Sequence, residues 1–173
     1  TERDAKYPDG LKSNDYKELY SRWFQFSAFT PVFRAHGTNV PREVWQFGEK
    51  GTPFYDNQVK YIHLRYRLLP YIYSMSHQVT ANNYTLLRGL AMDFTTDTRT
   101  FDIDNAYMFG TSLLVRPVFH PQSEEKNISV YLPEHNGGYW YDFWTGKAFE
   151  GGREQMQANT LDILPLYVKA GSI

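Results

Sequence analysis

At 173 residues, with 18 Lys and Arg against 19 Asp and Glu, the chain has a formal charge of −1 and interspersed charges, which excludes the basic surplus expected of a nucleic-acid partner. Apolar residues make up 42% and aromatics 17%, enough to bury a core and far from the low-hydropathy, high-charge signature of disorder. There is no cysteine, so disulfides, thiolate catalysis and cysteine-bound zinc are excluded, and no apolar run of about 18 residues is present to span a membrane.

From about Asp15 the pattern is helical. Asp15 and Glu18 stand at capping-box spacing, and Leu19, Tyr20, Trp23 and Phe24 fall on one face. The helix is expected to end near Phe29, because Pro31 forbids its continuation. Pro31-Val32-Phe33-Arg34 then reads as a short buried strand whose C-terminal end carries Arg34, Ala35 and His36. Trp23 to Gly37 therefore passes from helix to strand through six aromatic or imidazole side chains. On composition alone a core-packing helix and strand explain this stretch. Flat apolar faces beside a few charged donors also suit a sugar, whose hydroxyls gain about twice as much from an ionised partner as from a neutral one. A second helix is expected from about Asn57 to Asn82, with Val59, Ile62, Tyr66, Leu69 and Tyr73 apolar at helical spacing and a kink at Pro70.

From about Tyr84 the periodicity changes to short β-type runs: Leu86 to Phe94, Tyr107 to Phe109, Leu113 to Phe119, Ile128 to Leu132, Tyr139 to Phe143 and Leu164 to Val168. Clusters such as Thr95-Thr96-Asp97, His135-Asn136-Gly137-Gly138 and Gly151-Gly152 separate them, and an antiparallel sandwich is the natural arrangement. The chain thus divides into a helical part, residues 1–83, and a β-rich part, residues 84–173.

Several blocks in order resemble one enzyme family. W-F-Q-F-S-A-F-T-P-V-F-R-A-H-G at Trp23 to Gly37, P-R-E-V-W-Q-F-G at Pro41 to Gly48, Y-I-H-L-R-Y-R-L-L-P-Y-I-Y at Tyr61 to Tyr73, D-I-D-N-A-Y-M-F-G at Asp102 to Gly110, Y-W-Y-D-F-W-T-G at Tyr139 to Gly146 and I-L-P-L-Y-V-K-A-G-S-I at Ile163 to Ile173 are similar to the retaining α-glycosidases of glycoside hydrolase family 31. The resemblance implies an α+β fold: the last helix-strand-helix portion of a (β/α)8 barrel over residues 1–83, followed by an antiparallel β-sandwich domain over 84–173. A complete barrel takes about 250 residues, and the chain opens without Met and stops after a β-like run, so it is expected to be part of a longer enzyme.

Chemistry in such a barrel sits at the C-terminal ends of the strands. The resemblance gives the histidine of the R-x-H motif, His36, a hydrogen bond to the sugar in the cleaving subsite, and gives Arg34 a supporting role. It also implies retention through a glycosyl-enzyme ester, with two carboxyl groups about 5–5.5 Å apart and no metal or cofactor. In the family both aspartates come from earlier barrel strands; none of Asp4, Asp9 and Asp15 stands in such a pattern, so the chain alone is expected to be inactive. The wording F-R-A-H-G-T-N-V-P-R-E-V-W-Q-F-G most resembles α-xylosidases acting on xyloglucan oligosaccharides, with α-glucosidase the competitor and a non-catalytic carbohydrate-binding β-module the alternative from another class. His63 with Arg67, Asp102 with Asp104, and Trp140, Tyr141 and Trp144 are possible sites that read more simply as a helix face, a turn and a core. The implied partners are an oligosaccharide substrate, the preceding part of the barrel and, through the first helix and the Val32 to Arg34 segment, a second copy of the chain.

Overall fold

A computed structural model describes residues 6–37, 40–136 and 138–172. Ser13, in extended conformation, caps helix α1 (Asn14–Ser27) by accepting the Tyr16 N–H on its hydroxyl at 3.3 Å. The cap lies two residues ahead of the expected Asp15, which stands in the first turn, where its charge suits the helix dipole. Glu18 pairs one turn on with Arg22, at 3.1 Å, and not back toward the cap. The helix also closes slightly earlier than expected, with the Ala28 N–H on Phe24 O and the Thr30 hydroxyl donating to Ser27 O at 2.8 Å.

The expected buried strand at Pro31–Arg34 belongs to no sheet among the described residues, and Val32 is exposed. A strand needs a neighbour for its N–H and C=O groups, and no described segment pairs with this one. It is held from one side instead. The Arg65 guanidinium donates to the carbonyls of Ala28 (2.9 Å), Thr30 (2.6 Å) and Pro31 (3.0 Å), and Phe33 packs edge-on against Phe24 with centroids 4.8 Å apart.

In place of one kinked helix from Asn57 to Asn82 there are two, α2 (Pro53–Arg67) and α3 (Leu69–Asn82), meeting at Leu68. Pro70 has no N–H to give Tyr66 O, so the Leu68 N–H serves both Leu64 O and Tyr66 O, and bonding resumes from Ile72 N to Leu68 O at 2.9 Å. Asn83, left-handed at φ 54°, terminates α3. The predicted apolar face is not the buried one: Tyr66, Leu69 and Tyr73 are exposed, while α2 buries Asn57, Gln58, Tyr61 and Leu64.

The β part has eight strands among the described residues: β1 (Leu87–Gly89), β2 (Tyr107–Phe109), β3 (Leu113–Val115), β4 (Asn127–Leu132), β5 (Tyr139–Asp142), β6 (Ala148–Glu150), β7 (Arg153–Ala158) and β8 (Leu166–Lys169). A short helix, α4 (Leu90–Asp93), breaks the expected strand at Leu86 to Phe94. Six strands form an antiparallel sheet in the order β1-β2-β3-β8-β5-β6, and β4 pairs with β7 in a second sheet, from Asn127↔Ala158 to Leu132↔Arg153. Ile128, Val130 and Leu132 of β4 join Met108, Leu114 and Trp140 of the larger sheet in one buried cluster, so the two sheets enclose a common core. Burial of this cluster supplies the main driving force, at about 25 cal/mol per Å² of apolar surface.

The helices join the β part along residues 159–164. Arg22, 5% exposed, donates to Asn159 Oδ1 at 2.7 Å and Thr160 O at 2.9 Å; Gln25 and Asn57 both donate to Leu161 O; Lys60 donates to Asp162 O at 2.6 Å. Tyr61 OH accepts the Leu164 N–H at 2.8 Å. Backbone groups that no sheet satisfies are thus taken by helix side chains. This explains why α1 and α2 bury polar residues on the faces that meet the β part.

Candidate functional site

His36 follows the segment pinned by Arg65 and is exposed, as is Arg34. Arg34 Nη2 stands 3.2 Å from His36 Nδ1. A guanidinium only donates, so Nδ1 accepts and the neutral ring carries its proton on Nε2. The pair therefore presents a cation beside an oriented N–H donor, a combination that binds a hydroxyl. Gly37 follows at φ 151°, a conformation that favours glycine, and a Cβ there would also have to displace the Arg42 guanidinium.

Arg42 holds the far side of this turn. Its Nη1 donates to Val40 O at 3.0 Å, and its own carbonyl accepts Tyr20 OH at 3.3 Å. Burial raises the Tyr20 pKa, with the Arg42 charge opposing, so the phenol stays protonated and able to donate. Tyr20 in turn stacks on Phe47 with centroids 4.4 Å apart, tying the loop to α1. Residues 35–37 and 40–43 enclose an open cavity of about 390 Å³. Its only carboxylate among the described lining residues is Glu43. A retaining displacement needs two carboxyl groups, so this arrangement offers hydrogen-bond donors and, among the described lining residues, no nucleophile-acid pair. Arg42 lines the same cavity as His36; its place in the Pro41-Arg42-Glu43 block does not by spacing alone indicate contact with His36's loop.

The other candidates fall apart as sites. His63 and Arg67 lie on the exposed face of α2. Asp102 ends a 3-10 turn (Thr98–Asp102) and Asp104 lies in the loop before β2, both exposed, so they do not line one face of a strand. Trp140 is buried, with Nε1 donating to Pro133 O at 2.8 Å, and Trp144 donates to Leu164 O at 2.8 Å while packing on Tyr61; only Tyr141 of the three is exposed. Asp9 and Asp15 border a second, larger cavity of about 530 Å³ that shares no residue with the first, and Asp4 lies outside the described residues. No group of His, Asp and Glu suited to a metal ion exists among the described residues.

Two family descriptions match the chain: "Glycosyl hydrolases family 31 TIM-barrel domain" over residues 10–75 and "Glycosyl hydrolase family 31 C-terminal domain" over residues 83–173. An alpha-xylosidase of Saccharolobus solfataricus is 46% identical over the whole chain, which spans 23% of that protein. Alpha-glucosidase 2 of Bacillus thermoamyloliquefaciens is 34% identical, with 94% of this chain covering 20% of that one. Among solved structures, the family 31 alpha-xylosidase from Xanthomonas citri superimposes with a TM-score of 0.87 at 41% identity, over 98% of this chain and 18% of its own. The chain thus spans about a quarter or less of these relatives. Its helices, with the R-x-H segment between α1 and α2, match the family's barrel domain and its antiparallel sandwich the family's C-terminal domain, and the chain belongs to glycoside hydrolase family 31.

Proposed function

We propose that this chain forms one wall of the sugar pocket of a retaining α-glycosidase that removes terminal α-linked xylose from xyloglucan-type oligosaccharides. The observation that carries the reading is His36, which lines the open cavity and is oriented by a 3.2 Å bond from Arg34 beside it, within a chain 46% identical to an alpha-xylosidase. Residues 1–83 close the catalytic barrel and residues 84–173 form the β-domain behind it. His36 donates its Nε2–H to a sugar hydroxyl, and Arg34 keeps that tautomer in place. Such a donor matters most as the ring flattens toward an oxocarbenium ion, when hydrogen bonds to its hydroxyls strengthen. The nucleophile and the acid-base carboxyl come from outside the chain, so the 173 residues alone cleave nothing. Alpha-glucosidase activity is the second reading, supported by relatives of that name at 34–36% identity.

In the complete enzyme, His36→Ala is expected to lower kcat/KM on an aryl α-xyloside by about 10², the usual worth of one donor aimed at the transition state. Xylose should be released faster than glucose, as the α-anomer first in NMR of the nascent product. A variant keeping more than about a third of wild-type efficiency removes His36 from the pocket, and β-anomer as first product overturns the retaining mechanism.

A further inference from the structure

The larger cavity, about 530 Å³, lies between α1 and residues 117–124 of the β part, and its size is that of a ligand pocket, roughly 300–1,000 Å³. Nothing in the chemistry assigned to His36 uses it. Trp23 lines it, 61% exposed, with Phe26 edge-on behind at 5.8 Å. Phe119, 60% exposed, lines it too, with the Arg116 guanidinium 5.3 Å from its ring. Two large aromatic faces left in water at a concave surface are unusual for residues that otherwise belong in a core.

The polar lining is equally unusual. Glu18 accepts from Arg22 at 3.1 Å and from the Gln122 N–H at 3.0 Å, both on Oε1, leaving Oε2 without a partner among the described residues. Arg22 is 5% exposed, and its Nε, although buried, also has no partner among them. An unpaired buried donor is costly, and this one lies in the wall of the groove. The indole N–H of Trp23 makes no hydrogen bond among the described residues either.

We propose that this groove is a second saccharide-binding site, separate from the His36 cavity, in which a neutral oligosaccharide stacks one ring on Trp23 and another on Phe119 while Glu18 accepts from its hydroxyls. The charges select the ligand class. Four carboxylates, Asp9, Asp15, Glu18 and Glu124, face two cations, Lys6 and Arg22, with the His120 ring 3.9 Å from Glu124. A phosphate or carboxylate ligand is repelled by that balance, whereas a neutral polyol is not. Apolar ring faces beside Glu18 Oε2, unpartnered among the described residues, and the exposed indole of Trp23 match a pyranose, which is apolar on its face and polar at its edge.

The test is titration of the 173-residue chain with cellotriose, maltotriose and xylotriose, followed by tryptophan fluorescence and saturation-transfer NMR, with inorganic phosphate and spermidine as the anionic and cationic probes. At least one trisaccharide should saturate at low millimolar concentration, with the transfer strongest on ring protons. Trp23→Ala and Phe119→Ala should each weaken it about tenfold or more; both side chains are mostly exposed, so neither variant threatens the fold. His36→Ala should leave the affinity unchanged. Absence of saturation by all three sugars, equal affinity in both aromatic variants, loss in His36→Ala, or binding of phosphate or spermidine in their place each overturns the proposal. Because the two cavities share no residue, such a failure leaves the glycosidase reading standing.

Discussion

Removing a single oxygen at Tyr61 tests how the two parts of the chain are joined. The ring is 0% exposed, between Phe29 and Trp144, and its hydroxyl accepts the Leu164 N–H at 2.8 Å while donating more weakly to Asp162 O at 3.4 Å. Tyr61→Phe keeps every ring contact and opens no cavity, so the hydrogen-bond effect stands alone. The Leu164 N–H is left buried without an acceptor, at a cost of about 1–3 kcal/mol. The long bond to Asp162 adds little, since its carbonyl retains the Lys60 ammonium at 2.6 Å. With a urea slope of about 2 kcal/mol/M, the midpoint should fall by about 0.5–1.5 M in far-UV circular dichroism, with the slope unchanged. Tyr66→Phe, on the exposed face of the same helix, should change nothing. A Tyr61→Phe midpoint within about 0.2 M of wild type would show that the seam does not depend on this bond.

Gly110 sits at φ 65° with Tyr71 so close that a Cβ would strike its hydroxyl, which donates to Phe109 O at 2.8 Å and accepts the Ser112 N–H at 3.1 Å; Gly110→Ala should destabilise by roughly 2–4 kcal/mol in the same urea assay, from left-handed strain plus loss of those bonds. His135 packs edge-on to Trp140 at 5.3 Å, and burial lowers its pKa, with Lys169 adding to the effect and a hydrogen bond to Tyr139 opposing it. Its folded pKa lies below the unfolded value near 6.5, so the unfolded chain takes the proton first. The stability it contributes is therefore complete above about pH 6.5 and lost as pH falls below it. Thermal melts should show that loss, and His135→Phe should flatten it. The exposed Val32, Tyr66, Leu69 and Tyr73 should drive self-association of the isolated chain, read by sedimentation at rising concentration; a monomer throughout would mean these side chains form no interface.

Elements with one strong periodic signal were legible from the sequence. α1 starts and stops within two residues of its expected bounds, and β2 to β5 and β8 lie in or against apolar runs, because an apolar run marks a strand buried against the facing sheet. β6 and β7 were not legible. Arg153-Glu154-Gln155-Met156-Gln157-Ala158 is almost wholly polar and mostly exposed, and it is a strand only because β4 lies beside it to accept its hydrogen bonds. Pro31–Arg34 failed the opposite way, an apolar run with no neighbour to pair among the described residues. The faces of α2 and α3 misled because burial there follows the seam, where Asn57 meets backbone, while Tyr66, Leu69 and Tyr73 of the apolar stripe point outward. Arg34 and His36 were singled out through the R-x-H motif. Their mutual hydrogen bond, and the close approach of Gly37 to the Arg42 guanidinium, are contacts that no periodicity encodes.

The seam and the His36 turn share one support. α1 holds residues 159–161 through Arg22 and Gln25 on one face, and through Tyr20 it holds Arg42 O, the backbone that closes the turn after His36. Arg65 of α2 binds the carbonyls leading into that turn, while Tyr61, one helical turn earlier, binds Leu164. Each helix thus grips the β part with one set of side chains and the loop bearing Arg34 and His36 with another. The donor role proposed for His36 would require rigid backing, because side chains on an unpaired loop have little of their own. The β-domain supplies that backing by fixing α1 and α2. Its place directly after the barrel segment is therefore explained by mechanics: the loop lacks a neighbouring strand among the described residues, and the two helices that position it are themselves held by hydrogen bonds to the β part.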